Sequence, residues 1–123
     1  MLDRLKPKKN RAAPVPERTT PPVMVSEISA AELETLMESS SPPLVLDVRE
    51  SYEQSAGTIP GAISMPMSTL TSRLAELPRD RPIVAYCEAG VRSWSVAEFL
   101  LRQGYPDVKS LRGGFGAWAR QSS

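Results

Sequence analysis

The chain contains no histidine and only one cysteine, Cys87, among its 123 residues. Without histidine, a cysteine–histidine catalytic dyad, a histidine general base and a histidine-ligated metal site are all excluded. A single cysteine cannot form an internal disulfide, so the fold does not depend on an oxidising compartment. We therefore expect a cytoplasmic protein whose cysteine is a free thiol.

Long apolar runs and a strong net charge are missing as well. No stretch approaches the roughly 20 apolar residues that a membrane-spanning helix needs, and the N-terminus lacks the apolar core of a signal peptide. The formal net charge is only +1, which gives no indication of binding to nucleic acid or to a membrane. We expect a monomer with no nucleic-acid partner and no membrane span.

Residues 1–22 differ in composition from the remainder of the chain. Residues 1–25 contain six basic and two acidic side chains, a net charge of +4, which leaves −3 for the remainder. Large apolar residues are sparse in residues 1–22, and this composition is typical of disorder. We predict a disordered, basic, proline-rich tail over residues 1–22, with docking to an acidic partner or a membrane surface as the alternative. Its prolines are Pro7, Pro14, Pro16, Pro21 and Pro22.

Segments typical of strands and helices alternate from residue 23 to residue 121. Strands spaced by helices predict right-handed crossovers and a parallel sheet covered on both faces, which is an α/β domain over residues 23–121. Ser29 and Glu32 fit a capping box at the start of the first helix. The predicted strands are 23–25, 44–48, 62–64, 83–86 and 108–111, and the predicted helical segments are the one after Ser29, 51–54, 68–77, 94–103 and 115–120.

Cys87 directly follows the predicted strand 83–86 and precedes the predicted helix 94–103. At such a junction backbone N–H groups converge, and the helix N-terminus adds partial positive charge. A thiol placed there should have a lowered pKa, which makes it a nucleophile. Gly90 allows the loop to curl tightly, and Arg92 adds a full positive charge. Ligand sites in parallel sheets lie at the carboxyl ends of strands, and Asp47 lies near the end of a second predicted strand.

Four segments of the chain, in this order, resemble the motifs of the rhodanese-like family of single-domain thiosulfate sulfurtransferases. Together they cover roughly residues 24 to 120, and Thr58 stands where the family usually has histidine. The four segments are Leu44–Glu50 with its Asp-Val-Arg sequence, Gly57–Ile63, the cysteine loop Tyr86–Ser93, and Leu111–Trp118 with its paired glycines.

The resemblance implies a three-layer fold with a mostly parallel five-stranded sheet and helices on both faces. It also implies that Cys87 accepts a sulfane sulfur from a small anionic donor such as thiosulfate and passes it to cyanide, a thiol or a thioredoxin-like protein. Asp47 and Arg49 match positions that help to organise the active-site edge, and no cofactor or metal is implied. The expected binding loop consists of Glu88, Ala89, Gly90, Val91, Arg92 and Ser93.

Two other functions remain open at this point. The same scaffold could serve as a regulatory or sulfur-delivery module that does not turn over, and the basic tail favours that alternative. A phosphatase or arsenate reductase is disfavoured, because four residues separate Cys87 from Arg92, whereas cysteine-dependent phosphatases have five. The orientation of Glu88 also matters, since a carboxylate facing the site would oppose an anionic donor.

Overall fold

The structure, a computed structural model, describes residues 23–122, with Ser122 described by its backbone alone. The predicted tail over residues 1–22 lies outside the described residues. The strands are β1 (Ser26–Ile28), β2 (Leu44–Asp47), β3 (Ile63–Ser64), β4 (Ile83–Tyr86) and β5 (Val108–Leu111). The α-helices are α1 (Ala30–Met37), α2 (Val91–Arg102) and α3 (Gly114–Ser122), and the 3₁₀ segments are Ser51–Ala56, Met67–Thr69 and Thr71–Glu76.

The five strands form one sheet in the order β1-β5-β4-β2-β3. Each neighbouring pair is parallel, so the predicted α/β fold is confirmed and its sheet is fully parallel over the described residues. Strand β4 lies at the centre, between β2 and β5. The carboxyl ends of all strands therefore meet at one edge of the sheet, and Asp47 and Cys87 lie there on adjacent strands.

Helices cover both faces of the sheet. On one face, Val96 and Leu100 of α2 pack with Leu70 and Leu77 of the 3₁₀ segments. On the other face, buried residues of α1 and α3 pack against the sheet, among them Leu33 and Trp118. Because both faces are covered, all four residues of β4 are buried, which explains its uninterrupted apolar sequence.

The first strand lies three residues later than predicted. The sequence pattern favoured residues 23–25, whereas β1 comprises Ser26–Ile28, with only Ile28 buried. Pairing with β5 determines this position, since Ile28 lies opposite Leu111 in the register. The predicted capping box is confirmed, because the Ser29 hydroxyl accepts from the Glu32 N–H and the Glu32 carboxylate accepts from the Ser29 N–H.

The predicted helix over residues 68–77 is instead a pair of 3₁₀ segments. Their hydrogen bonds span three residues, as from the Arg73 N–H to the Leu70 carbonyl and from the Leu77 N–H to the Leu74 carbonyl. Pro66 and Pro78 flank this stretch, and proline disfavours continuation of a helix on either side. The tighter geometry still buries Leu70 and Leu77.

Candidate active site

Helix α2 begins at Val91, three residues before the predicted start at Trp94. Gly90 is its N-cap residue and adopts a left-handed conformation with φ of 104°, which favours glycine. A β-carbon at Gly90 would lie 3.3 Å from the Gly113 nitrogen. The residues after Gly90, up to Ser93, therefore form the first helical turn, and the Ser93 N–H points back to the sulfur of Cys87.

The sulfur of Cys87 takes the place of a helix-capping side chain. It accepts hydrogen bonds from the Gly90 N–H at 3.0 Å and the Ser93 N–H at 3.4 Å. A capping acceptor ordinarily binds the N–H groups of the second or third helical residue, and Ser93 is the third. The Ser93 hydroxyl lies 3.6 Å from the same sulfur. The arrangement favours negative charge on the sulfur, as a helix N-terminus does in general.

The Cys87 thiol has a lowered pKa despite its burial. Only 1% of the residue is exposed, and burial alone raises the pKa of a thiol. Hydrogen bonds from the Ser93 hydroxyl and from the N–H groups of Ser93, Gly90 and Ala89 outweigh that effect and lower the pKa. The direction of the shift is the one that the strand–loop–helix junction predicted.

The loop is held from beneath by the N-terminus of α3. The Phe115 N–H donates to the Cys87 carbonyl at 2.8 Å, and the Gly116 N–H donates to the Glu88 carbonyl at 3.1 Å. Gly114 makes this close approach possible, because a β-carbon there would lie 2.6 Å from the Glu88 carbonyl oxygen. The paired glycines of the fourth motif thus allow α3 to pack directly under the active-site loop.

Arg49 is fully buried beside the loop and uses all its N–H groups. Two of its hydrogen bonds go to the Asp47 carboxylate, at 2.9 and 3.1 Å. Two more go to the backbone carbonyls of Glu53 and Gly57, and the fifth goes to the Glu88 carboxylate. A guanidinium has five N–H groups, so this set satisfies it. The hydrogen bond to Asp47 raises the pKa of Arg49.

Two aromatic rings complete the surroundings of the buried ion pair. The Arg49 guanidinium lies over the Phe115 ring at 4.5 Å and over the Tyr86 ring at 5.4 Å. The Tyr86 hydroxyl donates to Asp47 at 2.7 Å and accepts from the Ile59 N–H. Burial is the main cause of the raised pKa of Tyr86. Asp47 and Arg49 thus join β2, β4 and α3 at the carboxyl edge of the sheet.

Arg92 is bound to Glu53 rather than to the sulfur. Its two terminal nitrogens each donate to one carboxylate oxygen of Glu53 at 2.7 Å. This bidentate bond is the main cause of the lowered pKa of Glu53, which falls to about 2. Glu53 is not among the site residues predicted from the sequence. The available signal was its place three residues after Glu50, since its carboxylate also accepts from the Glu50 N–H.

The remaining residues of the predicted binding loop have separate environments. The Glu88 side chain is 53% exposed, and its carboxylate contacts Arg49 at 3.3 Å. Ala89 and Val91 lie at the surface, with Val91 75% exposed. The structure therefore brings Cys87, the loop N–H groups and Ser93 together, while the charged side chains of the loop bind Arg49 and Glu53, which follow β2.

Ser110 is a further buried polar residue near the site, and it is not among the residues predicted from the sequence. Its hydroxyl lies 2.8 Å from that of Ser93, and both residues are 0% exposed. Ser110 shares a face of β5 with the buried Val108. A serine at an inward position of a strand was the signal that could have identified it.

Neither a metal-binding cluster nor a membrane helix occurs in the described part of the chain. Within residues 23–122, no group of three or more cysteine or acidic side chains is arranged to hold a metal ion. No helix in the same range is long and apolar enough to cross a membrane.

Comparison with known proteins gives a consistent result. Residues 29–121 match the family model of the rhodanese-like domain. A sulfurtransferase of Allochromatium vinosum is 40% identical over 97 residues, covering 79% of this chain and 91% of that protein. The thiosulfate sulfurtransferase GlpE of Shewanella oneidensis is 35% identical over 91 residues, covering 74% and 89% respectively. A rhodanese-like domain protein from Staphylococcus aureus superimposes with a TM-score of 0.73 at 33% identity, covering 76% and 91%.

Proposed function

Because the chain belongs to the rhodanese-like domain family and its relatives are named sulfurtransferases, we propose that it transfers sulfane sulfur through a persulfide on Cys87. The observation that supports this proposal most directly is the environment of the sulfur. Hydrogen bonds from the Gly90 and Ser93 N–H groups favour the thiolate, and the thiolate is the nucleophilic form of cysteine.

The reaction has two half-reactions that share this thiolate. In the first, the Cys87 thiolate attacks the outer sulfur of thiosulfate. The new S–S bond forms as the old one breaks, and sulfite leaves with the bonding electron pair. In the second, cyanide or a thiolate attacks the terminal sulfur of the persulfide. Thiocyanate or an acceptor persulfide then leaves, and the Cys87 thiolate is restored. Such covalent catalysis predicts ping-pong kinetics.

The loop residues have distinct parts in the proposal. The N–H groups of residues 88–93 would hold the negative charge of the terminal persulfide sulfur, as a concave run of backbone donors does for other anions. Arg92 would act at longer range, since Glu53 occupies its terminal nitrogens. Asp47 and Arg49 would act as positioning residues, because their contacts join β2, β4 and α3 beneath the loop.

The test is intact mass spectrometry followed by a thiocyanate assay. Incubation with thiosulfate should add one sulfur, about 32 Da, and cyanide should remove it as thiocyanate. Cys87→Ser is the matched control and should gain no mass and form no thiocyanate. A wild-type protein that is folded but gains no sulfur from thiosulfate or from a small-molecule persulfide would contradict the proposal.

The limits of the catalytic unit are also part of the proposal. We assign catalysis to residues 23–121, acting as a cytoplasmic monomer, and expect a variant lacking residues 1–22 to retain turnover. A full chain without turnover, whose binding to a partner is lost when residues 1–22 are removed, would instead favour the regulatory or sulfur-delivery alternative, in which the tail binds that partner.

A further inference from the structure

A chain of two buried hydroxyl groups leads from β5 to the active-site sulfur. Ser110 Oγ lies 2.8 Å from Ser93 Oγ, and Ser93 Oγ lies 3.6 Å from Cys87 Sγ. Both serines are 0% exposed. Ser110 lies opposite Ala85 of β4, and buried Val96 and Val108 belong to the same core cluster as Ala85. A hydroxyl in such surroundings is unfavourable unless it is hydrogen-bonded.

The number of available protons limits the directions in which the Ser93 and Ser110 hydroxyl groups can donate. The Ser93 hydroxyl has one proton and three neighbouring acceptors: the Gly90 carbonyl at 3.3 Å, the Ser110 oxygen and the sulfur. When Cys87 is a thiol, its S–H donates to Ser93 Oγ, and the Ser93 proton goes to the carbonyl or to Ser110. When Cys87 is a thiolate it accepts only, and its negative charge favours the orientation in which the Ser93 proton points to the sulfur.

In the second orientation, a donor on the far side of Ser93 supports the bond from Ser93 to the thiolate. Once the Ser93 proton points to the sulfur, Ser93 Oγ has free lone pairs and the adjacent Ser110 hydroxyl can donate to them. Consecutive hydrogen bonds polarise one another, so the donation from Ser110 strengthens the bond that Ser93 makes to the thiolate. In this way Ser110 stabilises the thiolate, although its hydroxyl contacts Ser93 and not the sulfur.

We propose that Ser110 is a positioning residue, which directs the Ser93 hydroxyl toward the ionised sulfur of Cys87 and thereby increases the fraction of reactive thiolate. This inference deepens the proposed function, since it concerns the reactivity of the same sulfur. The same orientation of the two hydroxyl groups would stabilise the persulfide form of Cys87, in which the terminal sulfur carries the negative charge.

The experiment is a pH titration of the Cys87 thiolate by its ultraviolet absorbance, which requires no sulfur donor. We expect Ser110→Ala to raise the pKa of Cys87 by about half a unit, which leaves about threefold less thiolate at a pH well below the pKa. Ser93→Ala should raise it by about one unit, because it removes the direct donor. Ser110→Thr retains the hydroxyl, so the pKa of Cys87 in this variant should stay close to the wild-type value.

Two controls separate this effect from a structural one. Tyr105→Phe removes a buried hydroxyl whose bonds go to the Leu74 and Leu77 carbonyls, away from the sulfur, and should leave the titration unchanged. In a Ser93→Ala background, Ser110→Ala should produce no further shift. A lower melting temperature with an unchanged thiolate pKa in Ser110→Ala, or equal shifts in both backgrounds, would overturn the inference. Failure of sulfur transfer with the expected titration would count against the proposed function alone.

Discussion

The two sides of Cys87 stabilise the site with different kinds of groups. Toward α2 and β5, the sulfur contacts neutral donors, namely the N–H groups of Gly90 and Ser93 and the Ser93 hydroxyl. Toward β2, Arg49 and Arg92 are bound to carboxylates rather than to the sulfur. We call the first group the neutral side and the second the charged side.

The contrast shows how a buried thiolate can be stabilised without an adjacent free cation. Backbone dipoles are fixed by the fold, so they favour the anion without having to be reoriented when it forms. The charged side contains two arginines and three carboxylates, which are Asp47, Glu53 and Glu88. Its groups satisfy one another, and the contacts of Asp47 and Arg49 join β2, β4 and α3 beside the loop.

We expect the largest loss of stability from replacing Arg49, the buried arginine of the charged side. Arg49→Met leaves Asp47 buried without its partner, and losing one member of a buried ion pair costs about 3–5 kcal/mol of stability. Chemical denaturation should therefore show a large loss. Arg102→Met is the matched control, because its partner Glu98 is at the surface, and it should change stability by about 1 kcal/mol or less. Equal effects of the two substitutions would refute the assigned role of Arg49.

A smaller effect should follow from disturbing the support beneath the neutral side. A β-carbon in Gly114→Ala would overlap the Glu88 backbone, so α3 must move away from the loop. We expect a loss of roughly 1–3 kcal/mol, as for other overpacked sites, together with reduced sulfur transfer. Gly116→Ala is the control, since its β-carbon would lie 3.5 Å or more from its nearest neighbours. If Gly114→Ala left transfer intact, the α3 contact would be irrelevant to the loop.

The partly exposed ion pair between Arg92 and Glu53 should contribute less to stability than Arg49 does, and its contribution should depend on pH. The Arg92 guanidinium lowers the pKa of Glu53 to about 2, whereas the pKa of an unfolded glutamate is about 4.3. The pair therefore stabilises the fold fully above the unfolded value, and the contribution is lost as the pH falls toward the folded value. At neutral pH, Glu53→Gln should cost about 1 kcal/mol or less, because the pair is partly exposed.

Denaturation curves at several pH values test this dependence. The difference between wild type and Glu53→Gln should shrink as the pH falls from about 5 toward about 2. Glu76→Gln is a suitable comparison, since Glu76 pairs with Arg73 at the surface and has a lowered pKa without contacting the site. If the stability difference between wild type and Glu53→Gln grew as the pH fell, that result would contradict a stabilising ion pair with Arg92.

The sequence predicted the neutral side better than the charged side. The position of Cys87 after an apolar strand, with Gly90 and a helix following, was enough to predict converging N–H groups and a lowered thiol pKa. These features are local in the chain. The partner of Arg92, by contrast, is Glu53, 39 residues away in sequence, and no local pattern specifies which carboxylate a flexible arginine will meet. Long-range pairing likewise explains why the predicted β1 was displaced toward the position opposite β5.

Arg92 tests whether the charged side acts on the sulfur at all. Among the substitutions considered, we expect Arg92→Gln to have the smallest effect. The sequence predicted that Arg92 binds an anionic donor or stabilises the thiolate by its charge, whereas in the structure its hydrogen bonds go to Glu53. The carboxylate offsets its charge, and solvent screens what remains, since the Arg92 side chain is 37% exposed. Arg92→Gln should therefore raise the thiolate pKa by less than about half a unit.

The comparison variant is Ser93→Ala, which removes an uncharged group but one that lies next to the sulfur. The same absorbance titration at low and moderate salt measures both. If fixed neutral donors control the thiolate, Ser93→Ala has the larger shift at either salt concentration, and the small shift of Arg92→Gln decreases as salt is added. The reverse order would mean that the Arg92 charge acts on the sulfur despite its bond to Glu53, and that the charged side sets the reactivity of Cys87.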